Sequence, residues 1–330
     1  MLKVFEAFAG IGAQRMALRN IGVDFEVVGI SEVDKYALNS YKAIHGDCPN
    51  YGDISKINPK DLPEIDLFTY SFPCQDISIA GKQEGIIRER TRSGLLYECE
   101  KIIEYCRPKY LLMENVKNLI GKKNKSNFEE WLKYLESLGY TNYWQVLNAK
   151  HYGIPQNRER VFVVSILGKH KPYEFPKGFK LEKNIKSMLE DGVDIKYYLS
   201  DEAVRKFVPN KNFTTAAITQ LITIKGKEIT HNTICEQRCD EGLRFFKNDI
   251  CGTIRTINSG GDKRVIETKH SFRIRKLTPK ECFRLMGLND EDIEKIQSIG
   301  TSNAQQYKQA GNSIVVPVLE GIFKELLINV

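Results

Sequence analysis

A cysteine and a glutamate are the residues of this sequence that most directly suggest chemistry. Cys74 follows the apolar run 65–72, and Glu114 lies about forty residues later, directly after the apolar run 110–113. Each run is predicted to be a buried strand, and parallel strands bring their carboxyl ends to one crevice, where open α/β sheets bind ligands. A thiol and a carboxyl group side by side at that place predict a nucleophile with an acid partner.

The elements that must position these two groups alternate between strands and helices. The alternation continues to about residue 168 and predicts an α/β fold, with a parallel sheet and helices on both faces. The predicted strands are 4–8, 25–31, 65–72, 110–113, 143–148 and 161–166, and the predicted helices are 13–20, 34–45, 95–106 and 128–138.

The character of the sequence changes after residue 168. Residues 169–186 are basic and contain two prolines, which is typical of a connector. From about 191 to 269, short β-branched runs broken by glycine and charge predict a small β-rich module. These runs are 213–217, 220–225 and 251–258. Helices are predicted again in 278–286, 302–309 and 314–329.

Charge is distributed unevenly along a chain whose formal net charge is +7. Residues 1–79 carry 7 basic and 11 acidic side chains, whereas residues 80–125 carry 11 basic and 6 acidic side chains. The excess of positive charge therefore flanks Cys74 and Glu114. This favours a polyanionic substrate, because contacts to phosphates release counterions. Considered alone, the charge would favour an ordinary solvated surface.

Composition argues against a membrane or secreted protein. No apolar run approaches the roughly 20 residues that a membrane-spanning helix needs, and the N-terminus lacks the plan of a signal peptide. The eight cysteines are scattered, as in a reduced cytosolic protein. We therefore expect a cytoplasmic protein with no membrane partner. His231, Cys235 and Cys239 have a spacing that could suit zinc, but no fourth ligand is evident nearby, so we expect no metal.

A glycine-containing turn ends the first predicted strand and opens the first helix, at 8–12. Its backbone can approach a ligand closely, and the helix N-terminus offers free N–H groups. A dinucleotide fingerprint would place a third glycine at position 15, where Arg15 stands, and this counts against NAD. Glu32 could accept both hydroxyls of a ribose, Asp53 could accept from an adenine amino group, and Phe8 could stack on that ring. An adenosine ligand without a pyrophosphate, S-adenosylmethionine, fits these residues.

Further motifs follow in a fixed order along the chain. They are Gln156-Asn157-Arg158-Glu159-Arg160, the segment 275–282, and Gly311-Asn312-Ser313. Together with 8–12, Glu32, Pro73-Cys74-Gln75 and Glu114-Asn115-Val116, they make the chain resemble the DNA (cytosine-5)-methyltransferases of bacterial type II restriction–modification systems. The resemblance runs from residue 4 to about residue 318, with no strong motif in 191–270.

The resemblance implies a reaction and a role for each residue of the Cys74 and Glu114 pair. Cys74 would be the nucleophile that adds to C6 of cytosine, and its thiol must be activated by local positive charge or dipoles. Glu114 would hold a proton at ring N3 and bind the exocyclic amine. Arg160 would bind O2 of the base, and Arg158 would also belong to the catalytic residues. Pro73 would shape the turn. The base must be flipped out of the duplex.

The resemblance also implies a Rossmann-like S-adenosylmethionine-dependent methyltransferase sheet, with S-adenosylhomocysteine as the product. The catalytic domain would be discontinuous, 1–190 and 271–330, with 191–270 inserted as a target-recognition domain. The implied cofactor-binding residues are Phe8, Ala9, Gly10, Gly12, Glu32, Val33, Asp53, Ile54, Pro73, Leu95, Asn312 and Ser313.

Two regions are candidates for contact with double-stranded DNA. The segment 75–92 is expected to be a mobile loop that closes over the DNA. Thr253-Ile254 and Ser259-Gly260-Gly261 resemble the recognition-domain pattern of the family, although an ordinary hairpin loop would explain them as well. The candidate DNA-binding residues are Gln75, Ser78, Lys82, Arg92, Arg255, Gly260, Gly261, Lys263 and Arg264.

Alternatives remain open at this point. A tRNA cytosine-5 methyltransferase could use the same motifs, whereas a non-catalytic nucleic-acid-binding relative is disfavoured by the intact Cys74 and Glu114. A nicotinamide-dependent oxidoreductase is disfavoured by Arg15. We expect a monomer, with any cognate restriction endonuclease acting separately. Asn312 and Ser313 could simply cap the last helix, and Thr278 with Glu281 is expected to form a capping box.

Overall fold

Strands and helices alternate along the first half of the chain, as predicted. The computed structural model describes residues 1–74, 77, 92–207, 222–224, 227–238, 242–246, 250–256, 263–268 and 272–328. The strands are β1 Leu2–Ala7, β2 Phe25–Ser31, β3 Leu67–Tyr70, β4 Tyr110–Val116, β5 Tyr140–Asn148, β6 Gln156–Asn157, β7 Glu159–Leu167, β8 Ile222–Ile224, β9 Lys227–Ile229, β10 Thr233–Arg238, β11 Gly242–Phe245, β12 Cys251–Gly252, β13 Lys263–Glu267 and β14 Arg273–Lys276.

The α-helices are interspersed with short 3₁₀ turns. The helices are α1 Ala13–Asn20, α2 Lys35–His45, α3 Glu98–Cys106, α4 Lys125–Ser137, α5 Asp201–Phe207, α6 Pro279–Arg284, α7 Asp290–Ser298, α8 Asn303–Asn312 and α9 Val316–Leu327. The 3₁₀ turns are Ile54–Lys56, Pro59–Asp61, Arg92–Tyr97, Lys117–Ile120, Ala149–Tyr152, Ile185–Met188 and Ile195–Tyr197. The predicted helix 95–106 therefore starts as a 3₁₀ turn and becomes α-helical at Glu98.

Six strands form the main sheet, in the order β2-β1-β3-β4-β7-β5. Strands β1 to β4 pair in parallel, but β7 is antiparallel to both β4 and β5. The expected all-parallel sheet is thus mixed. The reason is the short connection 149–158 between β5 and β7, because a parallel neighbour would need a crossover of about a dozen residues or more.

Helices cover both faces of this sheet, which confirms the predicted layering. Neighbouring residues of a strand point to opposite faces, so Leu67 and Phe68 enter different apolar cores. The core on the Leu67 face includes residues of α1, α2, α7 and α9, and the core on the Phe68 face includes residues of α3 and α4. All four residues of β3 are buried, and each large apolar side chain buried in this way stabilises the fold by about 1.5–3 kcal/mol. The two cores hold the carboxyl edge of the sheet in place.

Strand β4 is longer than predicted. Its ladder with β7 continues to the pair Val116 and Arg160, so Glu114 lies inside the strand and not after it. This difference matters for the site, because a residue within a ladder has a more fixed backbone than one in a loop.

Polar side chains fix the starts of several helices. The Asp34 carboxylate accepts from the N–H of Tyr36 at 2.9 Å at the start of α2. The predicted capping box of α6 is confirmed: the Thr278 hydroxyl accepts from the Glu281 N–H, and the Glu281 carboxylate accepts from the Thr278 N–H. Such caps contribute about 0.5–2 kcal/mol each.

A second, antiparallel sheet has the order β11-β10-β13-β14. It packs over a small core that includes Val204, Cys235, Ile266 and Phe272. Strand β14 continues this sheet beyond residue 270, where the recognition domain was expected to end. Of the predicted strands, 213–217 lies outside the described residues, and 220–225 and 251–258 are described only at 222–224 and 251–256.

The described residues hold neither a cluster of metal ligands nor a membrane-spanning helix. No three His, Cys, Asp or Glu side chains in this part of the chain are grouped to hold a metal ion. His231 Nδ1 accepts from the Thr268 N–H at 3.0 Å, Cys235 is buried, and Cys239 lies outside the described residues. No described helix has both the length and the apolar character that crossing a membrane requires.

Candidate active site

A cavity of about 470 Å³ opens at the carboxyl edge of the main sheet. This volume is in the range of small-molecule and cofactor sites. Residues from both ends of the chain line it together. From the predicted sets these are Phe8, Ala9, Gly10, Glu32, Val33, Asp53, Ile54, Pro73, Cys74, Leu95, Glu114, Arg158, Arg160, Asn312 and Ser313.

The predicted thiol and carboxyl group line this one cavity. Glu114 is 8% exposed, and its Oε1 lies 3.1 Å from Arg160 Nε. Arg160 reaches it from the antiparallel neighbour, diagonally across the ladder in which Glu114 faces Phe162. Burial raises the pKa of Glu114, although Arg160 and Arg158 act in the opposite direction. The Glu114 carboxyl group is therefore biased toward keeping a proton.

The environment of Cys74 only partly provides the predicted activation. Burial raises the pKa of its thiol, Arg160 and Arg158 lower it, and the Glu114 carboxylate raises it further. The net shift is upward, so positive charge is present beside the sulfur but does not outweigh burial and the neighbouring acid.

Three side chains to which the sequence analysis gave no role hold the turn that carries Cys74. Asn115, 2% exposed, donates from Nδ2 to the Phe72 carbonyl at 3.0 Å. Ser93 Oγ donates to the Pro73 carbonyl at 2.7 Å, and Asn118 Nδ2 donates to the Ile77 carbonyl at 2.5 Å. Asn115 belongs to the motif Glu114-Asn115-Val116, which marks its position but not this role; Ser93 and Asn118 give no such signal.

The Glu32 carboxylate holds the glycine-containing turn. Its Oε2 accepts from the Gly10 N–H at 2.8 Å, and its Oε1 accepts from the N–H groups of Val33 and Asp34 at 2.9 and 2.7 Å. Oε1 thus uses both of its lone pairs, whereas Oε2 keeps a second one, and the predicted contact with the ribose hydroxyls stays a prediction. The Val33 side chain is 72% exposed and leaves an apolar surface at the cavity.

Asp53 has a structural role in addition to the predicted contact with adenine. Its Oδ1 accepts from Ser55 N–H at 3.0 Å and from Ser55 Oγ at 2.8 Å, and so caps the turn Ile54–Lys56. The contact with adenine is not tested by this arrangement and stays a prediction.

Gly12, at the end of the turn at 8–12, does not line the cavity. Its role is structural. Its φ of +77° is left-handed, and a Cβ atom there would lie 2.5 Å from His45 Nε2. The same imidazole nitrogen lies 3.2 Å from the Ile11 carbonyl oxygen. A side chain at position 12 would therefore displace the turn that lines the cavity.

A buried acid that the sequence analysis missed lies in the strand that leads into this turn. Glu6, in β1, is fully buried and accepts from the Tyr41 hydroxyl at 2.6 Å. Burial raises the pKa of Glu6 to about 7. Nearby, burial and the charge of Arg15 lower the pKa of His45 to about 3. An acidic residue inside an apolar strand was the sequence signal for this cluster.

Arg158 lines the cavity, and its guanidinium is bound to the main chain of other segments. Its catalytic role stays a prediction. The residue is 3% exposed, and its Nη1 donates to the Ile254 carbonyl at 2.9 Å. Its Nη2 donates to the carbonyls of Gly311 and Ser313 at 3.1 and 2.8 Å. Both terminal nitrogens are thus bound to the main chain. The guanidinium acts on the site through its charge and through the segments it holds.

Asn312 and Ser313 do not cap the last helix, so that reading is wrong. Asn312 is the last residue of α8 and Ser313 its C-cap, whereas α9 begins only at Val316 after Val315. Both residues line the cavity, as the methyltransferase resemblance implied.

Two predicted DNA contacts need correction. Lys263 and Arg264 are 8% and 7% exposed. Lys263 Nζ lies 3.0 Å from Glu236 Oε1, an acid that is also buried. Buried side chains held in the sheet are unsuited to contact DNA phosphates or bases, whereas Arg255 is exposed. Gln75, Ser78, Lys82, Gly260, Gly261 and the side chain of Arg92 lie outside the described residues.

Residues 2–327 match the family described as C-5 cytosine-specific DNA methylase. The chain is 40% identical to type II methyltransferase M2.ScrFI of Lactococcus lactis subsp. cremoris, covering 99% of each chain. It is 33% identical to type II methyltransferase M.Bsp6I of Bacillus sp. (strain RFL6), covering 99% of this chain and 100% of that protein. A solved structure of a Dnmt2 methyltransferase from S. pombe shares the fold, with a TM-score of 0.69, 19% identity and coverage of 99% and 98%.

Proposed function

The chain belongs to the family of C-5 cytosine-specific DNA methylases and is a DNA (cytosine-5)-methyltransferase, and we propose a specific course for its reaction. It takes the methyl group of S-adenosylmethionine and places it on C5 of a cytosine that is flipped out of a defined duplex sequence. The observation that carries this proposal is the single cavity in which Cys74, Glu114 and Arg160 adjoin the residues expected to bind the cofactor.

The cavity suits S-adenosylmethionine in its shape and in its chemical groups. Gly10 allows close approach of the backbone, with a φ of +58° and open space where a Cβ atom would stand. The Glu32 and Asp53 carboxylates would bind the ribose and the adenine amine, and Val33 would cover the ring. Asn312 and Ser313 would close the cavity from the other side. When bound, the cofactor supplies an electrophilic sulfonium methyl group.

The residues of this chain prepare the cytosine for that group. The Cys74 thiolate forms a bond to C6 while Glu114 delivers a proton to N3, so the ring becomes an enamine that is electron-rich at C5. After methylation, the C5 proton leaves to a base, the C6–S bond breaks and the N3 proton returns to the Glu114 carboxylate, which regenerates the thiolate and the acid and restores the aromatic ring. The raised pKa of Glu114 supports a carboxyl group that carries the proton into this step.

The Arg160 guanidinium would serve two groups at once. It pairs with Glu114 at 3.1 Å, and from there it would bind O2 of the base and stabilise negative charge as the thiolate adds. As this charge develops, the ring takes the proton of Glu114 and the arginine keeps the acid in place. Pro73, whose carbonyl is fixed by Ser93, would shape the turn beside the exocyclic amine.

Flipping the base costs a few kcal/mol, which contacts of a recognition domain must offset. We place that domain at about 191–276, because β14 belongs to the antiparallel sheet. The catalytic domain would then comprise the residues on either side. We also propose that the protein works as a monomer, with any cognate restriction endonuclease acting separately.

The test is to map 5-methylcytosine at base resolution in cells that lack other cytosine-5 methylation and that express this protein. One duplex sequence should become methylated with the wild type and with Cys106→Ser, a half-buried cysteine remote from the cavity. Cys74→Ser should leave that sequence unmethylated. Methylation of tRNA instead of DNA would favour the alternative substrate.

A second measurement addresses the covalent step itself. A duplex with 5-fluorocytosine at the mapped position, given S-adenosylmethionine, should form a denaturation-resistant adduct with the wild type and with Cys106→Ser only. Persistence of the adduct or of methylation in Cys74→Ser would refute the assignment of the nucleophile.

A further inference from the structure

Three distant segments of the chain meet around one buried guanidinium, that of Arg158. The first segment is 156–158, which leads into β7. The second is 251–256, which contains β12 and connects the two halves of the antiparallel sheet. The third is 311–313, which lines the cofactor side of the cavity. We call this meeting point the three-segment junction.

The two outer segments touch each other at Gly311. A Cβ atom at this position would lie 2.6 Å from the backbone carbon of Arg255 and 2.6 Å from the nitrogen of Thr256. Backbone atoms cannot move aside as a flexible side chain can. The segments 251–256 and 311–313 are therefore packed main chain against main chain, and glycine is required for this approach.

The side chain of Gln156 and the backbone of β6 hold the second segment from the catalytic side. Gln156 Oε1 accepts from the Ile254 N–H at 2.9 Å, and its Nε2 donates to the Leu285 carbonyl at 2.6 Å. Cys251 pairs with Gln156 in a short parallel ladder, and Thr253 Oγ1 donates to the Asn157 carbonyl at 2.8 Å. Residues 251–256 thus belong as much to the catalytic core as to the inserted module.

Arg158 is the only side chain described that bonds both outer segments at once. Its Nη1 holds the Ile254 carbonyl, and its Nη2 holds the carbonyls of Gly311 and Ser313, all within 3.1 Å. Within the described residues its Nε is buried without a hydrogen-bond partner. Burial lowers the pKa of Arg158 to about 9, so the group stays charged at neutral pH. Burying a charge among carbonyl groups, without a paired carboxylate, costs free energy. Packing alone therefore does not explain why an arginine stands at this position.

We propose that Arg158 is a positioning residue that couples the module segment 251–256 to the cofactor segment 311–313. Because one planar group bonds both, a displacement of either segment must be transmitted to the other. Contacts that the module makes with DNA would in this way bear on the cofactor pocket. The identity of these two ligands rests on the proposed function, whereas the mechanical coupling rests on the contacts alone.

The test distinguishes the effect of the positive charge of Arg158 from the effect of its planar, branched shape. Arg158→Lys keeps a positive charge, but a single ammonium group cannot span three carbonyls in two segments. Without DNA or cofactor, amide hydrogen exchange should rise at least about tenfold in both 251–256 and 311–313. The affinity for S-adenosylhomocysteine, measured by calorimetry, should fall about tenfold, as expected when strong hydrogen bonds behind a binding segment are lost.

Two further variants control this experiment. Arg107→Lys alters a guanidinium that also donates to a main-chain carbonyl, that of Leu138, at the opposite edge of the sheet, and should change neither readout. Gly311→Ala leaves Arg158 intact but forces 251–256 away from 311–313, and should raise exchange in the same two segments. It also serves as the test if Arg158→Lys does not fold.

Faster exchange in only one segment, or in neither, would overturn the coupling, as would an unchanged affinity for S-adenosylhomocysteine in Arg158→Lys and Gly311→Ala. The proposed function fails in a different way. If the wild type bound no S-adenosylhomocysteine, the cofactor assignment would be wrong, while the exchange measurements would still report on the junction.

Discussion

Replacing Glu6 by Gln tests how much this buried carboxyl group, next to the turn at 8–12, destabilises the fold when it ionises. Glu6 is fully buried in β1, two residues before Phe8. Its Oε2 accepts from Tyr41 at 2.6 Å, and its Oε1 is buried without a hydrogen-bond partner among the described residues. Arg15, Cys48 and the hydroxyl of Tyr41 are the groups near it. Ionisation of Glu6 would therefore create a negative charge that is shielded from water and only partly stabilised by these groups.

The pKa of Glu6 fixes the sign and size of the effect. Burial raises it from its ordinary value of 4.5 to about 7. Between these values the folded protein keeps a proton that the unfolded chain releases, so the free energy of unfolding falls by about 1.4 kcal/mol for each unit of rising pH. From pH 5 to pH 8 the wild type should lose roughly 2–3 kcal/mol through this group. Glu6→Gln cannot ionise and should not show this loss.

Urea unfolding at pH 5 and pH 8 measures the difference directly. The free energy of unfolding of Glu6→Gln, relative to that of the wild type, should be roughly 2–3 kcal/mol higher at pH 8 than at pH 5. Any constant cost of the amide cancels in this comparison. The titration of His45, whose low pKa removes stability as the pH falls below 6.5, occurs in both proteins and cancels too.

A matched control is Glu64→Gln, because Glu64 is an exposed acid paired with Lys3 at 2.6 Å. It should show no stabilisation at high pH. If Glu6→Gln and the wild type had the same pH dependence, the acid would not be held protonated by burial, and the strain assigned to it would be refuted.

Three further outcomes are expected. Glu114→Gln should slow methyl transfer about 10²–10⁴-fold and lower the pKa of the neighbouring thiol, because the carboxylate raises it; kinetics and the pH profile of thiol alkylation measure the two effects. Lys263→Met should destabilise the fold by about 3–5 kcal/mol in urea unfolding, since it breaks the buried ion pair with Glu236, and the double replacement with Glu236→Leu should recover most of this loss. Gly12→Ala should weaken S-adenosylhomocysteine binding in calorimetry, because its Cβ would lie 2.5 Å from an imidazole nitrogen, whereas Gly46→Ala, with a similar φ and open space around it, should not.

Local patterns sufficed to predict the sheet, its covering helices and the cavity edge. The run before Cys74 and the glycines at 8–12 identify strand ends without any knowledge of the rest of the chain. The reversed direction of β7 was missed, because alternation of strands and helices does not distinguish a short hairpin from a crossover. The position of Glu114 inside β4 was missed for the same reason, since the ladder with β7 extends the strand.

The remaining features that the sequence did not predict come from contacts between residues far apart in the chain. Arg158 bonds carbonyls 96 and 153 residues away, and no spacing within its own motif indicates them. Lys263 looks like a surface lysine until the register of β10 and β13 places it opposite Glu236. Burial of a charged side chain becomes predictable only when its partner is known.

The reversed strand β7 has a consequence for how the enzyme can vary. Its first residues, and not its last, arrive at the edge where the parallel strands end, so Arg160 meets Glu114 only in one alignment of the two strands. Inserting a single residue into 149–157 and shifting that alignment by one position would turn the side chains of β7 to the opposite face. Activity would be lost with every reactive group still present. The enzyme thus tolerates a shift in the alignment of this hairpin no better than it tolerates replacement of the nucleophile Cys74.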